Sequence, residues 1–303
     1  MSGKSLTVLF GGRFDVVERE DWWRELTAAA PQLHWQRDDA PFDHAAIDAA
    51  VVANPEPGLL ARLPRLRLIQ SLWAGVDKLL ADVSLPLDVP LARMVDPAMN
   101  AAMAETALWA VLGLHRRFFD YAAQQQQAQW RPHPQRRADE VPVLVLGAGQ
   151  MGGAVAQRLA AQGYRVDTWR ASDGTPAPLA GAEIVINLLP LTPATRGMLD
   201  ARFFAALPCG ASLVNLARGA HVVDDDLLAA LDAGHLQRAV LDAFATEPLP
   251  TAHPYWRHPR VTVLPHAAAL TDPRSGALAV ASNLRALARG EPVANVVDRA
   301  RGY

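Results

Sequence analysis

Three residues of this sequence have the types needed to move a proton and hold an anion. Arg218, Glu247 and His266 each stand within a few residues after an apolar run of strand length, at 212–217, 240–242 and 261–264 respectively. Ligands of open parallel sheets gather beyond the carboxyl ends of the strands, so an arginine, a carboxylate and a histidine placed there can converge. Hydride delivery to a carbonyl carbon leaves charge on its oxygen, and histidine is suited to protonate it near neutral pH. A neighbouring carboxylate favours the imidazolium. The permanently charged fork of an arginine can hold a carboxylate or polarise a keto oxygen. The trio therefore fits reduction of a 2-keto acid. Each member also has a plainer use: His266 as a packed residue, Arg218 in a surface ion pair, Glu247 before Pro248 as a loop acid. His34, His44, His115, His221, His253 and His258 lack such a setting and read as loop or surface residues. No His, Cys and carboxylate cluster has ligand spacing, so no metal site is expected.

A second chemical signature lies earlier, in VLVLGAGQMGG at 143–153. An apolar strand ends at Gly147, and Gly147, Gly149 and Gly152 stand in G-x-G-x-x-G spacing before a helical stretch. The first glycine permits the turn, the second lets a pyrophosphate approach the backbone, and the third lets helix and strand pack closely. Phosphate would then rest on helical N–H groups. Gly163 closes the helix and YRVDTW at 164–169 supplies the next strand, which completes the βαβ context. NAD-binding proteins of this kind carry an acid at the end of that strand for the ribose 2′-hydroxyl. Here Asp167 falls inside the strand and Arg170 stands at its end, where it would pair with a 2′-phosphate. NADP is therefore the expected cofactor, with NAD as the alternative.

The elements that must position these residues alternate between strand and helix, which predicts an α/β protein with parallel sheets. Strands are expected at 7–10, 50–53 and 66–71, followed by a tight turn at Trp73-Ala74-Gly75-Val76-Asp77. A helix is expected at 21–30, stopped by Pro31, and one long helix at 96–129. The second half continues with strands at 143–146, 164–169, 184–189, 212–217, 240–242 and 261–264. Its helices are expected at 154–161, 201–206 and 224–233, with a last one at 273–289 stopped by Gly290. The pattern suggests two Rossmann-like domains with a cleft between them: 1–95 plus 273–303 for substrate, and 96–272 for NAD(P).

Bulk properties narrow the partners. A chain of 303 residues with formal net charge −2 offers no basic field for nucleic acid. Cys209 is the only cysteine, so no intrachain disulfide forms, in keeping with a reducing compartment. No segment has the apolar length of a membrane span or a secretory leader, and a cytoplasmic enzyme is expected.

At these motifs the sequence resembles the D-isomer-specific 2-hydroxyacid dehydrogenase family. The resemblance is carried by the glycine fingerprint, LLPLTPATRG at 188–197, NLARGAHVVDDDLLAAL at 215–231, LDAFATEPLP at 241–250 and LPHAAALT at 264–271. Trp22 and Trp23, HRRFFDY at 115–121 and VDRARGY at 297–303 are similar to its branch of bacterial glyoxylate/hydroxypyruvate reductases. The resemblance implies His266 as acid, Glu247 as its partner and Arg218 on the substrate, with glyoxylate and hydroxypyruvate as substrates. It implies a substrate carboxylate held by backbone N–H groups at Ala74, Gly75 and Val76, with Trp73 beside them. It further implies cofactor contacts at Gly147, Gly149, Gln150, Met151, Gly152, Arg170, Leu189, Pro190, Thr195, Ala217 and Asp242, and a homodimer. Trp73 stands where a small residue is usual, and Asn100 where glycine is common. Two rival readings are an NAD-dependent dehydrogenase of the lactate or phosphoglycerate type, and a nucleotide-sensing protein without turnover.

Overall fold

The computed structural model describes residues 5–170 and 177–303. The chain divides into two compact units, Met1–Ala98 with Thr271–Tyr303, and Met99–Leu270. Each is built on a parallel sheet.

In the first unit five strands lie in the order β2-β1-β3-β4-β5, with β1 Thr7–Gly12, β2 His34–Arg37, β3 Ala49–Ala53, β4 Leu68–Ser71 and β5 Leu91–Ala92. All neighbours pair in parallel, and a short helix, α2, Asp77–Leu80, follows β4. β3 is buried at every position, as a central parallel strand covered on both faces must be. Helix α1, Val16–Ala29, starts at Asp15, whose side chain accepts from the N–H of Glu18. It packs against α8, Pro273–Arg289, which is capped by Asp272 and ends on Gly290 at φ +70°. Gly276 makes this contact possible, since a Cβ there would stand 2.6 Å from the ring of the fully buried Trp22.

The second unit holds six parallel strands in the order β11-β10-β9-β8-β6-β7. They are β6 Pro142–Leu146, β7 Arg165–Trp169, β8 Ile184–Asn187, β9 Ala211–Asn215, β10 Leu236–Leu241 and β11 Val261–Val263. Alternate residues of the same strands feed two cores. Val143, Val145, Ile184, Ile186, Val214 and Val240 pack with Val155 and Leu159 of α5, Gln150–Ala161. On the other face Leu144, Leu146, Val185, Leu213 and Leu241 pack with Phe204 of α6, Ala201–Ala205, and Leu227 of α7, Asp224–Asp232.

The single helix expected at 96–129 is two: α3, Pro97–His115, and α4, Phe118–Gln126. Arg117 between them is left-handed at φ +63°. The cause is packing rather than a breaker residue. Gly113 leaves space for Phe119, whose ring would lie 2.5 Å from a Cβ at 113, and Phe119 also meets Trp109 edge-on. Two short strands, β2 and β5, were not expected from the sequence, and α1 begins five residues before its expected start. Among the described residues no helix is long and apolar enough to cross a membrane.

Candidate active site

In the second unit the chain after β9, β10 and β11 carries Arg218, Glu247 and His266. His266 Nδ1 lies 3.0 and 2.9 Å from the two carboxylate oxygens of Glu247. That contact orients the ring and leaves Nε2 for another partner. Glu247 Oε1 also accepts from the N–H of Phe244 at 2.9 Å, so the carboxylate is held from its own loop. Arg218 Nη1 donates to the carbonyl of Ala217 at 2.9 Å. Gly219 lets the Arg218 loop lie directly on the Glu247 loop, since a Cβ at 219 would stand 1.8 Å from the Phe244 carbonyl carbon.

The His266 loop is tied down from beneath. Asp242 is 2 % exposed, and its oxygens accept from the N–H groups of Ala267 at 2.8 Å and Ala268 at 3.1 Å. Burial pushes its carboxyl above the usual carboxylate range, and the two N–H donors oppose that rise. His266 itself has φ +54°, a left-handed conformation that a non-glycine residue adopts only when its surroundings hold it there. Asp242 supplies that hold.

His221 is a correction. It was expected as a loop or surface residue, yet it is fully buried. Asn187 Nδ2 donates to Asn215 Oδ1 at 2.9 Å and to His221 Nδ1 at 3.0 Å. The orientation of that amide is set by Leu189 N–H, which donates to Asn187 Oδ1 at 3.2 Å. His221 Nδ1 is thus an acceptor, which puts the proton on Nε2, 3.3 Å from the Pro190 carbonyl. Asn215 Nδ2 continues the chain to the carbonyl of Arg218 at 3.0 Å. This network binds the loops after β8 and β9 together. The available signal was the pair of asparagines closing two apolar strands, because buried amides require partners.

At the glycine turn the structure separates three roles. Gly147 has φ +98°, and a Cβ there would lie 2.6 Å from the Leu188 carbonyl oxygen. A Cβ on Gly152 would lie 1.8 Å from the Gly147 carbonyl oxygen. Gly149 has φ −79° and nothing within 4 Å of a Cβ, so its backbone is bare toward open space. It is also the N-cap of α5, which has no side-chain cap, so the N–H groups of Gln150 and Met151 begin the helix unsheltered. Arg170 follows β7 and donates through Nε and Nη2 to the Ala148 carbonyl at 3.1 and 2.7 Å. These residues fit a dinucleotide phosphate group. Leu189 and Ala217 are buried at the ends of β8 and β9. Thr195 is also buried, and its hydroxyl donates to the Pro190 carbonyl at 2.7 Å, closing the 190–195 turn.

In the first unit Trp73, Ala74 and Gly75 follow β4 half-exposed, with Val76 buried. The Trp73 ring lies 6.5 Å edge-on from Trp22 and 6.4 Å from Phe14. Asn100 is half-buried in the first turns of α3. A cavity of about 330 Å³ in the second unit is lined by His115, Arg117, His133 and Glu183 with Ile184 and Ser212 at the starts of β8 and β9. It opens at the amino-terminal edge of the sheet, away from the trio. No group of three or more His, Cys, Asp or Glu is placed to hold a metal among the described residues.

Comparison with known proteins gives the family and the fold. Residues 108–268 match the family model for the D-isomer specific 2-hydroxyacid dehydrogenase, NAD binding domain. The chain is 44 % identical to the glyoxylate/hydroxypyruvate reductase A of Serratia proteamaculans, over 94 % of this chain and 96 % of that one. Its structure is similar to the D-isomer specific 2-hydroxyacid dehydrogenase of Xanthobacter autotrophicus in complex with NADPH and MES. The TM-score is 0.93 at 38 % identity, covering 99 % of this chain and 100 % of that one. A second solved relative is the NADPH-dependent glyoxylate/hydroxypyruvate reductase of Sinorhizobium meliloti in complex with NADP and sulfate. There the TM-score is 0.90 at 33 % identity, with 99 % and 100 % of the two chains covered.

Proposed function

Because the chain belongs to the D-isomer specific 2-hydroxyacid dehydrogenase family, we propose that it reduces small 2-keto acids with NADPH, glyoxylate to glycolate and hydroxypyruvate to D-glycerate. The observation that carries this reading is the His266–Glu247 pair, held at 2.9 Å on loops locked to one another at the carboxyl edge of the second sheet. Carbonyl reduction needs one proton at the carbonyl oxygen, and His266 Nε2, with Nδ1 committed to Glu247, is the atom to give it. Glu247 stabilises the charged ring before transfer. Arg218 neutralises charge developing on the substrate oxygen. The N–H groups of Ala74, Gly75 and Val76 take the substrate carboxylate, and Trp73 limits the size of what enters.

Bound NADPH supplies the hydride. Gly147, Gly149, Gln150, Met151 and Gly152 would hold its pyrophosphate, and Arg170 its 2′-phosphate. Leu189, Pro190, Thr195, Ala217 and Asp242 would line the remainder. The nucleotide belongs to the part at 96–272, and the substrate carboxylate to 1–95 with 273–303. NADPH and NADH oxidation measured across a panel of 2-keto acids tests this. Turnover of glyoxylate and hydroxypyruvate with preference for NADPH is expected. No turnover of any 2-keto acid, or turnover with NADH alone, would overturn it.

The enzyme acts as a cytoplasmic homodimer in this reading. Exposed Trp109, Phe118 and Trp130 along and after α3 and α4 support a covered face there, with Trp130 95 % exposed in the single chain. Light scattering that returns the 32.7 kDa monomer mass would remove the dimer.

A further inference from the structure

The reaction described above leaves the half-buried cation of Arg93 unused. Arg93 follows directly on β5, the edge strand beside β4 in the first sheet, so it stands at the carboxyl edge from which the Trp73 loop also leaves. Its backbone is fixed on both sides. Arg93 N–H donates to the Asn295 carbonyl at 3.0 Å, and Met94 N–H donates to the Trp73 carbonyl at 3.1 Å. Trp73 is the residue before Ala74, Gly75 and Val76, so Arg93 and those N–H groups are held to one short stretch of backbone.

The side chain of Arg93 is half-buried, and burial alone lowers its pKa, with no carboxylate near enough to oppose the fall. It forms no hydrogen bond, ion pair or ring contact with any described residue, and none of its nitrogens is sealed from solvent. Several other arginines of this unit have partners. Arg19 pairs with Asp38 at 2.6 Å, Arg37 with Asp39 at 2.7 Å, Arg65 with Asp48 at 2.8 Å, and Arg299 donates to two carbonyls. Sinking a guanidinium without a partner costs free energy, and it is retained where an anion arrives to complete it.

We propose that Arg93 is a substrate-binding residue that grips the carboxylate of the 2-keto acid alongside the N–H groups of Ala74, Gly75 and Val76. The planar fork matches the two oxygens of a carboxylate, and the neighbouring N–H donors fix which way the acid lies. The assignment rests on the 2-keto acid reading above.

Arg93→Met keeps the apolar stem and removes the charge; Arg93→Lys keeps the charge and removes the fork. With NADPH saturating, Arg93→Met should raise KM for glyoxylate about 10- to 100-fold while KM for NADPH and Tm stay at wild-type values. Arg93→Lys should fall between. An unchanged KM for glyoxylate, or equal rises in both KM values, overturns the assignment while leaving the reductase reading intact. Failure of the wild-type chain to turn over any 2-keto acid marks failure of that reading instead. Oxamate, a carboxylate with the shape of a 2-keto acid, gives a second readout independent of turnover. It should raise the Tm of the wild-type chain and not of Arg93→Met; equal shifts, or none in either, count against Arg93.

Discussion

The two sheets of this dehydrogenase start alike and finish differently. Both order their first strands in the same way, β2-β1-β3-β4-β5 and β7-β6-β8-β9-β10, and both leave the first strand through a glycine turn into a helix. In the first, the turn is closed by the chain itself. Asp38, after the second strand, accepts from Gly12 N–H at 2.7 Å and pairs with Arg19, and a Cβ on Gly11 would stand 2.4 Å from its carboxylate. The following helix is capped by Asp15. In the second, Arg170 occupies the place of that acid and bonds a carbonyl, Gly149 is bare, and α5 has no side-chain cap. The first turn thus has its N–H group committed to the end of the neighbouring strand, and the second is left open, as the proposed phosphate site requires.

Four substitutions sharpen or break this contrast. The largest effect is expected at the proposed proton donor on the open turn's sheet: His266→Gln should lower kcat by about a thousandfold with NADPH affinity retained, read by stopped-flow absorbance and fluorescence titration. Next, Gly149→Val places bulk where a Cβ meets nothing, so Tm should hold while NADPH affinity falls about a hundredfold. A simultaneous loss of Tm would mean that the turn serves packing instead. Arg170→Gln should lower kcat/KM for NADPH about tenfold or more and spare NADH, the loss of one charge-assisted contact. An unaltered cofactor ratio would detach Arg170 from the nucleotide. Smallest in kinetics is Asp38→Ala, which uncaps the closed turn. It should cost about 1–3 kcal/mol in denaturant unfolding and leave one NADPH bound per chain in calorimetric titration. Any change in cofactor affinity would contradict the self-capped description.

How much of this was readable from residue order follows from the kind of force involved. The α/β class, the nucleotide motif and the family were legible because apolar runs and glycine spacing are local. β2, written HWQR, was not, since an edge strand need bury little and shows no apolar alternation. The break at Arg117 depends on Phe119 finding Gly113 a turn and a half back, a contact that periodicity along 96–129 conceals. His221 was misplaced for a related reason: its burial is created by two loops meeting through Asn187 and Asn215. The anchoring of the His266 loop by Asp242 likewise joins residues 25 positions apart.

That anchor sets two demands on one position against each other. At φ +54° the backbone of residue 266 favours glycine, whereas the proposed proton transfer requires imidazole. His266→Gly should therefore yield a protein that resists unfolding better, by about 1 kcal/mol, while turning nothing over. A search for thermostable variants scored only on melting would be drawn to the loss of the proposed proton donor. Selection for heat tolerance in this enzyme has to be coupled to an activity screen at that residue.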